Sequence, residues 1–186
     1  MTKNDQKTAY SQAVKTGKYE RNTGVSGKYD NVRLYWEDQI TRIKLQKHIK
    51  KIVENTRNNN EKIRIIDLGC GSGDGFELLM NIKDDEKDFD SLNNNLIQKE
   101  NLEFYLGVDL NEDLLKENKK RWNSAESKVM DFRPGNLAKD LSFLDEYGPF
   151  HIYFTSFGTL SHLNTDETIA LFNKIASHSQ DQAILI

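Results

Sequence analysis

The chain has 186 residues, of which 37% are hydrophobic and 30% are charged, and its formal net charge is −3. A chain of this length can form one domain with a sizeable core. It has no apolar run that could span a bilayer, its N-terminus lacks the apolar core of a signal peptide, and its single cysteine excludes an internal disulfide and a zinc site built on several thiolates. The expected compartment is the cytoplasm.

The charge is unevenly distributed along the chain. Residues 1–62 contain 14 Lys and Arg against 7 Asp and Glu, whereas residues 63–186 contain 12 against 22. An acidic body is a poor surface for nucleic acid, because binding to phosphates requires clustered basic side chains. The basic segment either packs against the acidic body, which we favour, or contacts a phosphate backbone. Nucleic acid is therefore not an expected partner. A membrane is not an expected partner either, because the sequence has no apolar run long enough to span it.

The N-terminal part is predicted to be an arm followed by one helix. Residues 1–28 contain few large apolar side chains and are expected to form a polar arm. From Glu37 onward, apolar residues recur at helical spacing with Lys and Arg on the other face. This pattern predicts a helix within residues 29–60, ending at the polar run Asn58-Asn59-Asn60.

An apolar strand, a glycine turn and a helix follow one another at residues 63–80. The strand is predicted from the apolar run Ile63–Leu68, and the helix from Phe76–Met80. Between them lie Gly69, Gly71 and Gly73. Glycines let a backbone approach a ligand, and the free N–H groups at a helix start favour an anionic group. The order of these elements predicts a site for an adenosine-bearing cofactor.

The spacing of the glycines argues against a dinucleotide. A dinucleotide turn has Gly at its first, third and sixth positions, but the sixth position here is Asp74, an acid where the pyrophosphate would lie. Asp67, at the end of the strand, can accept a hydrogen bond from a ligand ammonium group, directly or through water. Cys70 lies between two glycines, where a small residue is needed, and is interpreted as packing rather than as a nucleophile.

The remaining pattern predicts four more strands with helices between them. Residues 83–101 are polar and acid-rich and are expected to form a loop insertion or to be disordered, rather than to contribute to the core. The predicted strands are Leu102–Asp109, Lys128–Phe132, Phe150–Thr155 and Gln182–Ile186. The predicted helices are Glu112 to about Arg121 with Asn111 as cap, Leu137–Leu144, and Asp166–Ser177 opened by Thr165. Arg133–Leu137 is expected to be a turn.

Strands that alternate with helices predict an α/β fold with a doubly wound, mostly parallel sheet. Such sheets bind ligands at the carboxyl ends of their strands, near the point where the strand order reverses. No two or three residues have the spacing of metal ligands, so no metal is expected.

The segment Asp67-Leu-Gly-Cys-Gly-Ser-Gly73 closely resembles motif I of the class I S-adenosylmethionine (SAM) dependent methyltransferases. The resemblance implies a Rossmann-like SAM-binding domain over residues 29–186, with SAM as cofactor and S-adenosylhomocysteine as product. The cofactor-binding residues of the motif would be Asp67, Gly69, Cys70, Gly71 and Gly73. Because the sheet of this family usually ends in two further strands, the resemblance also implies either that the chain is a fragment truncated at its C-terminus, which we favour, or that the missing part is supplied in another way.

The same resemblance implies further cofactor contacts. Asp109 would accept hydrogen bonds from both ribose hydroxyls, with an ordinary helix-capping role as the less favoured alternative. Leu110 would cover one face of the adenine. Asn136 and Leu137 would contact the adenine edge, unless this turn serves only its own backbone. Ser156 and Phe157 would lie under the methionine part and the methyl group. At the start of the fourth strand, Phe150-His151 departs from the Phe-Asp of many members.

A weaker resemblance is to glycine N-methyltransferase-like enzymes, in which an N-terminal segment folds over the cofactor as a lid. Tyr29, Trp36 and Arg42 correspond to the residues of that segment, although their separations are shorter here. The Arg would pair with the SAM carboxylate, since its planar fork binds a carboxylate through two hydrogen bonds. Core packing of Trp36 and a solvated position for Arg42 remain open alternatives.

The expected activity is methyl transfer to a small-molecule acceptor by in-line displacement. The segment Ser156–Leu163 resembles that of small-molecule methyltransferases and lacks the Asn/Asp-Pro-Pro-Tyr/Phe motif of enzymes that methylate base or glutamine amides. His162 is the candidate general base, with a structural or substrate-binding role as the alternative. Two other hypotheses remain: an RNA or protein methyltransferase that docks through its basic N-terminal segment, and a non-catalytic SAM-binding domain. A nicotinamide dehydrogenase is disfavoured by Asp74.

Overall fold

The fold is an α/β sandwich built on five parallel strands. The computed structural model describes residues 38–84, 94–122, 129–155 and 158–186, together with residues 12, 15 and 16. The strands are β1 (Ile63–Leu68), β2 (Leu102–Asp109), β3 (Met130–Pro134), β4 (Ile152–Phe154) and β5 (Ile184–Leu185), in the order β3-β2-β1-β4-β5. Every pairing between them is parallel. The doubly wound sheet predicted from the sequence is therefore confirmed.

Helices connect the strands and cover the sheet. They are α1 (Asp38–Asn58), α2 (Asp74–Met80), α3 (Glu112–Trp122), α4 (Ser142–Tyr147) and α5 (Thr165–His178), with a short 3-10 helix at Thr159–His162. The strand order reverses between β1 and β4, whose carboxyl ends lead into the glycine turn and into the 3-10 helix. This is the switch point at which open α/β sheets bind ligands.

The core consists of two apolar clusters, and strand β1 contributes to both. Ile63 and Ile65 belong to the first cluster, which includes side chains of α1 and α2, whereas Ile66 and Leu68 belong to the second, which includes side chains of α4 and α5. All four are fully buried. This explains why the strand is a nearly continuous apolar run, since both of its faces are covered.

Several elements lie where the sequence predicts them. Strands β1 and β2 have the predicted bounds, and α3 begins at Glu112 as expected. Asn111 caps α3, because its Oδ1 accepts the backbone N–H groups of Asp113 at 3.0 Å and Leu114 at 3.4 Å. These two bonds satisfy backbone N–H groups that have no partner inside the helix.

The second half of the predicted loop insertion at 83–101 contributes two side chains to the core. Leu96 and Ile97 are buried and belong to the first core cluster. The backbone N–H of Leu96 donates to the carbonyl of Ile82 at 2.8 Å, and Lys83 forms an antiparallel bridge with Asn95. The prediction was wrong here because two apolar side chains in a polar stretch carry no periodic signal. Residues 85–93 lie outside the described part.

The third strand and the helix after it lie further along the chain than predicted. Strand β3 extends to Pro134, because Arg133 and Pro134 pair with Val108 and Asp109 of β2. The predicted start at Lys128 lies outside the described residues, and the turn begins at Gly135. The helix expected at 137–144 is α4 at Ser142–Tyr147 instead. The backbone N–H of Ser142 donates to Asp140 Oδ1 at 2.9 Å, which marks the start of the helix.

Helix α5 is capped by Asn164 and not by Thr165. Asn164 Oδ1 accepts the backbone N–H of Glu167 at 2.9 Å, and Glu167 Oε2 accepts the backbone N–H of Asn164 at 2.9 Å. This reciprocal pair is a capping box. The prediction missed it because Asn164 and Thr165 are both residues favoured at a helix start.

In the described ranges, none of the helices combines the length and the apolar character needed to cross a membrane. Apart from residues 12, 15 and 16, the predicted N-terminal arm lies outside those ranges. The domain boundaries inferred from the sequence therefore stay predictions.

Candidate active site

The glycine turn lies at the carboxyl end of β1 and is bonded to the end of β2. Gly69, Gly71 and Gly73 have φ angles of +78°, +52° and +83°, a region that side-chain-bearing residues rarely adopt. The backbone N–H groups of Gly69 and Cys70 donate to the carbonyl of Val108 at 2.7 and 3.0 Å. The turn is therefore attached to the sheet edge at the switch point.

Side chains of the protein itself occupy the space beside two of these glycines. A Cβ on Gly69 would clash with the side chain of Thr159, and a Cβ on Gly73 would meet Asn118 Oδ1 and Trp122 Nε1. Glycine is therefore required at these positions by packing as well as by backbone conformation.

Asp109 ends strand β2 beside this turn, with its carboxylate held by two backbone groups. Its Oδ2 accepts the N–H of Gly71 at 2.8 Å, and its Oδ1 accepts the N–H of Asn111 at 2.8 Å. A carboxylate has about four acceptor positions and can bond to several donors at once. A half-buried carboxylate with a fixed orientation at this edge fits a ligand with two adjacent hydroxyls. The next residue, Leu110, is 41% exposed.

Asp67 lies beneath the turn and is fully buried. The hydroxyl of Tyr105 donates to Asp67 Oδ2 at 2.8 Å, and a Cβ on Gly75 would clash with the same oxygen. Burial, and then the negative charge of Asp67, raise the pKa of Tyr105 well above its usual value. The phenol therefore remains a donor to the carboxylate at physiological pH. The predicted contact of Asp67 with a ligand ammonium group stays a prediction.

Asp74 opens helix α2 and is also buried. Ser72 Oγ donates to Asp74 Oδ2 at 3.0 Å. The carboxylate stands at the helix start, where a dinucleotide site would hold the pyrophosphate. Repulsion between the two anions supports the exclusion of NAD and FAD.

The turn after β3 bonds largely to itself. Asn136 Oδ1 accepts the N–H of Ala138 at 3.1 Å, and its backbone carbonyl accepts the N–H groups of Lys139 and Asp140, each at 2.9 Å. Leu137 packs against the second core cluster. The alternative of a turn that serves its own backbone is thus present in the structure, while the adenine contact of these residues stays a prediction.

Four predicted cofactor residues lie outside the described part of the chain: Tyr29, Trp36, Ser156 and Phe157.

Arg42 lies in the first turns of α1 and is half-buried. Its Nε is buried and has no hydrogen-bond partner among the described residues. A buried guanidinium nitrogen of this kind fits a carboxylate ligand, but the pairing of Arg42 with a cofactor stays a prediction.

His162, the candidate base, is exposed at the end of the 3-10 helix. Thr159 begins this helix and packs against Gly69, so the helix lies against the glycine turn. This places His162 three residues from a contact with the turn. Its catalytic role stays a prediction.

The described residues contain no group of three His, Cys, Asp or Glu side chains that could hold a metal ion.

Sequence reasoning missed three residues that shape the site: Tyr105, Asn118 and Thr159. Asn118 is 1% exposed, and its Nδ2 donates to the carbonyl of Gly71 at 2.7 Å. A signal for Asn118 was present, because it follows Leu114 and Leu115 on the apolar face of a helix, where a polar side chain needs a partner. Tyr105 and Thr159 gave no such local signal.

Comparison with solved structures supports the same fold. The chain is similar to the magnesium protoporphyrin IX methyltransferase from Synechocystis PCC 6803, solved with bound SAH, at a TM-score of 0.50 and 17% identity, covering 96% of this chain and 68% of that one. It is similar to a SAM-dependent methyltransferase from Clostridium acetobutylicum ATCC 824 at a TM-score of 0.53 and 13% identity, covering 95% and 56%. No curated protein matches the chain.

The family is shown by the sequence itself. Residues 18–175 match the ubiE/COQ5 methyltransferase family. The matched segment contains the glycine turn, Asp109 and the 3-10 helix. This match covers most of the chain and confirms the enzyme class inferred from motif I, with SAM as the cofactor. The chain belongs to the ubiE/COQ5 methyltransferase family.

Proposed function

We propose that this chain binds SAM across the carboxyl ends of β1 and β2 and transfers the methyl group to a small-molecule acceptor. The observation that carries the proposal is the carboxylate of Asp109, which the N–H groups of Gly71 and Asn111 hold beside the glycine turn. In this proposal Asp109 accepts hydrogen bonds from the two ribose hydroxyls. Leu110 supplies an exposed apolar surface for one adenine face.

The role of the chain in the reaction is alignment. When bound, SAM would supply a methyl group on a sulfonium centre, and the acceptor atom would bond to the methyl carbon as the carbon–sulfur bond breaks in line and S-adenosylhomocysteine leaves. The protein holds donor and acceptor at the right angle and excludes water. The 3-10 helix, with Thr159 packed on Gly69, forms the side of the site that faces the acceptor. His162 accepts a proton only where the acceptor atom must lose one early.

Two observations support a small molecule as the acceptor. The segment 156–163 lacks the Asn/Asp-Pro-Pro-Tyr/Phe motif of enzymes that methylate amides of bases or glutamine. The body of the chain, residues 63–186, carries more acidic than basic residues, which disfavours a polyanion.

Calorimetric titration with S-adenosylhomocysteine tests the cofactor site. The parent chain should bind it and should not bind NAD. Asp109→Asn, which keeps the shape but weakens the acceptor, should reduce the affinity about tenfold. Asp113→Asn on helix α3, whose carboxylate pairs with Lys116 at 3.5 Å, is the matched control and should bind like the parent. Binding of NAD, or equal loss in both variants, would contradict the proposed site.

Transfer of a labelled methyl group from SAM tests the acceptor. Label should appear in a low-molecular-weight fraction of a metabolite extract and not in RNA or protein supplied at the same time. Label in RNA that disappears steeply with added salt would favour docking through basic residues. Cofactor binding without transfer to any fraction would favour a non-catalytic binding domain.

A further inference from the structure

Helix α3 presents two asparagines to the cofactor edge of the sheet, Asn111 at its cap and Asn118 seven residues later. Residues seven apart lie on the same face of a helix. The backbone N–H of Asn111 donates to Asp109 Oδ1, and Asn118 Nδ2 donates to the carbonyl of Gly71. The start of the helix is therefore bonded to the carboxylate through its backbone, and the face of the helix at Asn118 is bonded to the turn through a side chain.

Gly71 is held by side chains at both of its backbone polar groups. Its N–H donates to Asp109 Oδ2 at 2.8 Å, and its carbonyl accepts from Asn118 Nδ2 at 2.7 Å. Glycine has the widest range of backbone conformations, so two bonds on one glycine restrict a residue that is otherwise free to rotate. The Gly71 N–H lies in the peptide plane shared with Cys70, whose carbonyl accepts the N–H of Gly73 at 2.8 Å, and the Gly71 carbonyl lies in the next peptide plane. Asp109 and Asn118 therefore hold the two peptide planes that meet at Gly71, and together these bonds restrict its φ and ψ angles.

Asn118 contacts the rest of the turn as well. Its Nδ2 lies 3.9 Å from the sulfur of Cys70, and its Oδ1 lies against Gly73. The side chain is buried, whereas Lys116 on the same helix is exposed. An amide buried at this point supplies a donor that an apolar side chain of the same size could not.

We propose that Asn118 is a positioning residue for cofactor binding, which orients the Asp109 carboxylate toward the ribose hydroxyls by holding the carbonyl of Gly71. The proposal rests on the proposed function, since it assumes that Asp109 binds the ribose. Loss of the Asn118 donor frees the peptide plane after Gly71, so the φ and ψ angles of Gly71, and with them the direction of its N–H toward Asp109, are held from one side only. The affinity should then fall only for ligands that carry the two hydroxyls.

The test compares two ligands, S-adenosylhomocysteine and its 2′,3′-dideoxy analogue, by calorimetry. Asn118→Leu is nearly isosteric and removes only the polar atoms, and Lys116→Leu is the matched control on the exposed face. Asn118→Leu should bind S-adenosylhomocysteine about tenfold more weakly and bind the dideoxy analogue like the parent. Lys116→Leu should leave both affinities unchanged.

A double variant links the effect to Asp109. If Asn118 acts through this carboxylate, Asn118→Leu should cost no further affinity in an Asp109→Asn background. Additive losses would overturn the proposal, as would equal losses for the two ligands, because either result means a general loosening of the site. Thermal unfolding without ligand checks that the variants fold, and Asn118→Ala replaces Asn118→Leu if the larger side chain is not tolerated.

The results also separate this proposal from the proposed function. If the parent chain does not bind S-adenosylhomocysteine, both are overturned. The other informative result is that the parent binds S-adenosylhomocysteine, that Asp109→Asn lowers this affinity and that Asn118→Leu does not. In that case the role of Asn118 is wrong and the cofactor site stands.

Discussion

Buried polar side chains in this protein hold backbone groups at the ends of strands. Asn118 bonds to the glycine turn after β1, and His151 bonds to the first part of β1 from the segment before β4. His151 is buried, and its Nδ1 accepts the backbone N–H of Arg64 at 3.1 Å. The imidazole of His151 therefore provides the acceptor for this backbone group.

His151 should make stability depend on pH. Burial lowers its pKa below the usual value of 6.5, opposed by Glu61. In the interval between the lowered pKa and 6.5 the unfolded chain therefore binds more protons than the folded one, and the free energy of unfolding falls as the pH falls below 6.5. Asn at 151 keeps an acceptor without titrating, so His151→Asn should flatten the profile measured by urea unfolding.

The exposed His48 supplies the control for this experiment, since His48→Asn should leave the slope of the pH profile as it is in the parent. Parallel profiles for the parent and His151→Asn would refute the assignment.

At the scale of elements, caps decide where helices begin. Asn111 and Asn164 each accept backbone N–H groups with a side-chain oxygen, and each stands where a loop returns from the carboxyl edge of the sheet. The capping box at Asn164 begins α5 shortly after the end of the 3-10 helix that lies against the glycine turn. A helix start is therefore part of the framework of the site.

Removing the cap of α5 should cost more stability than changing its neighbour. Asn164→Ala breaks the capping box and should lower the free energy of unfolding by about 1 kcal/mol. Thr165→Ala, the residue that the sequence pattern favours as cap, should change it by less than about 0.5 kcal/mol. Urea unfolding followed by circular dichroism measures both. A larger loss in Thr165→Ala than in Asn164→Ala would show that the cap is misassigned.

At the scale of the whole molecule, β1 joins the two core clusters. Ile65 packs into the cluster with α1 and α2, and Ile66 packs into the cluster with α4 and α5. Because neighbouring side chains of a strand point to opposite faces, one strand can connect both halves of the core. We expect the two faces to unfold together in one transition.

Removing a methylene on either face of β1 should therefore shift the same transition. Ile65→Val and Ile66→Val should each lower the free energy of unfolding by about 0.5–1.5 kcal/mol with an unchanged denaturant slope. Leu185 in edge strand β5 is 41% exposed, so Leu185→Val should have a smaller effect. Fluorescence and circular dichroism should give coincident curves. Two separate transitions in either variant would mean that the clusters unfold independently.

The sequence by itself determined the fold class, the enzyme family and the bounds of β1 and β2. These features have local signals: an apolar run buried on both faces, glycines at fixed spacing, and an acid at a strand end. Helix α3 was predicted for the same reason, since its cap and its periodicity lie within a few residues of each other.

Only the tertiary structure decided how the site is held together. Asn118 meets Gly71 across 47 positions of the chain, and Thr159 meets Gly69 across 90. Leu96 and Ile97 are buried because the chain returns to Ile82 before β2 begins. Such contacts depend on which side chains fill a given space after the strands have paired, and local periodicity contains no information about that space.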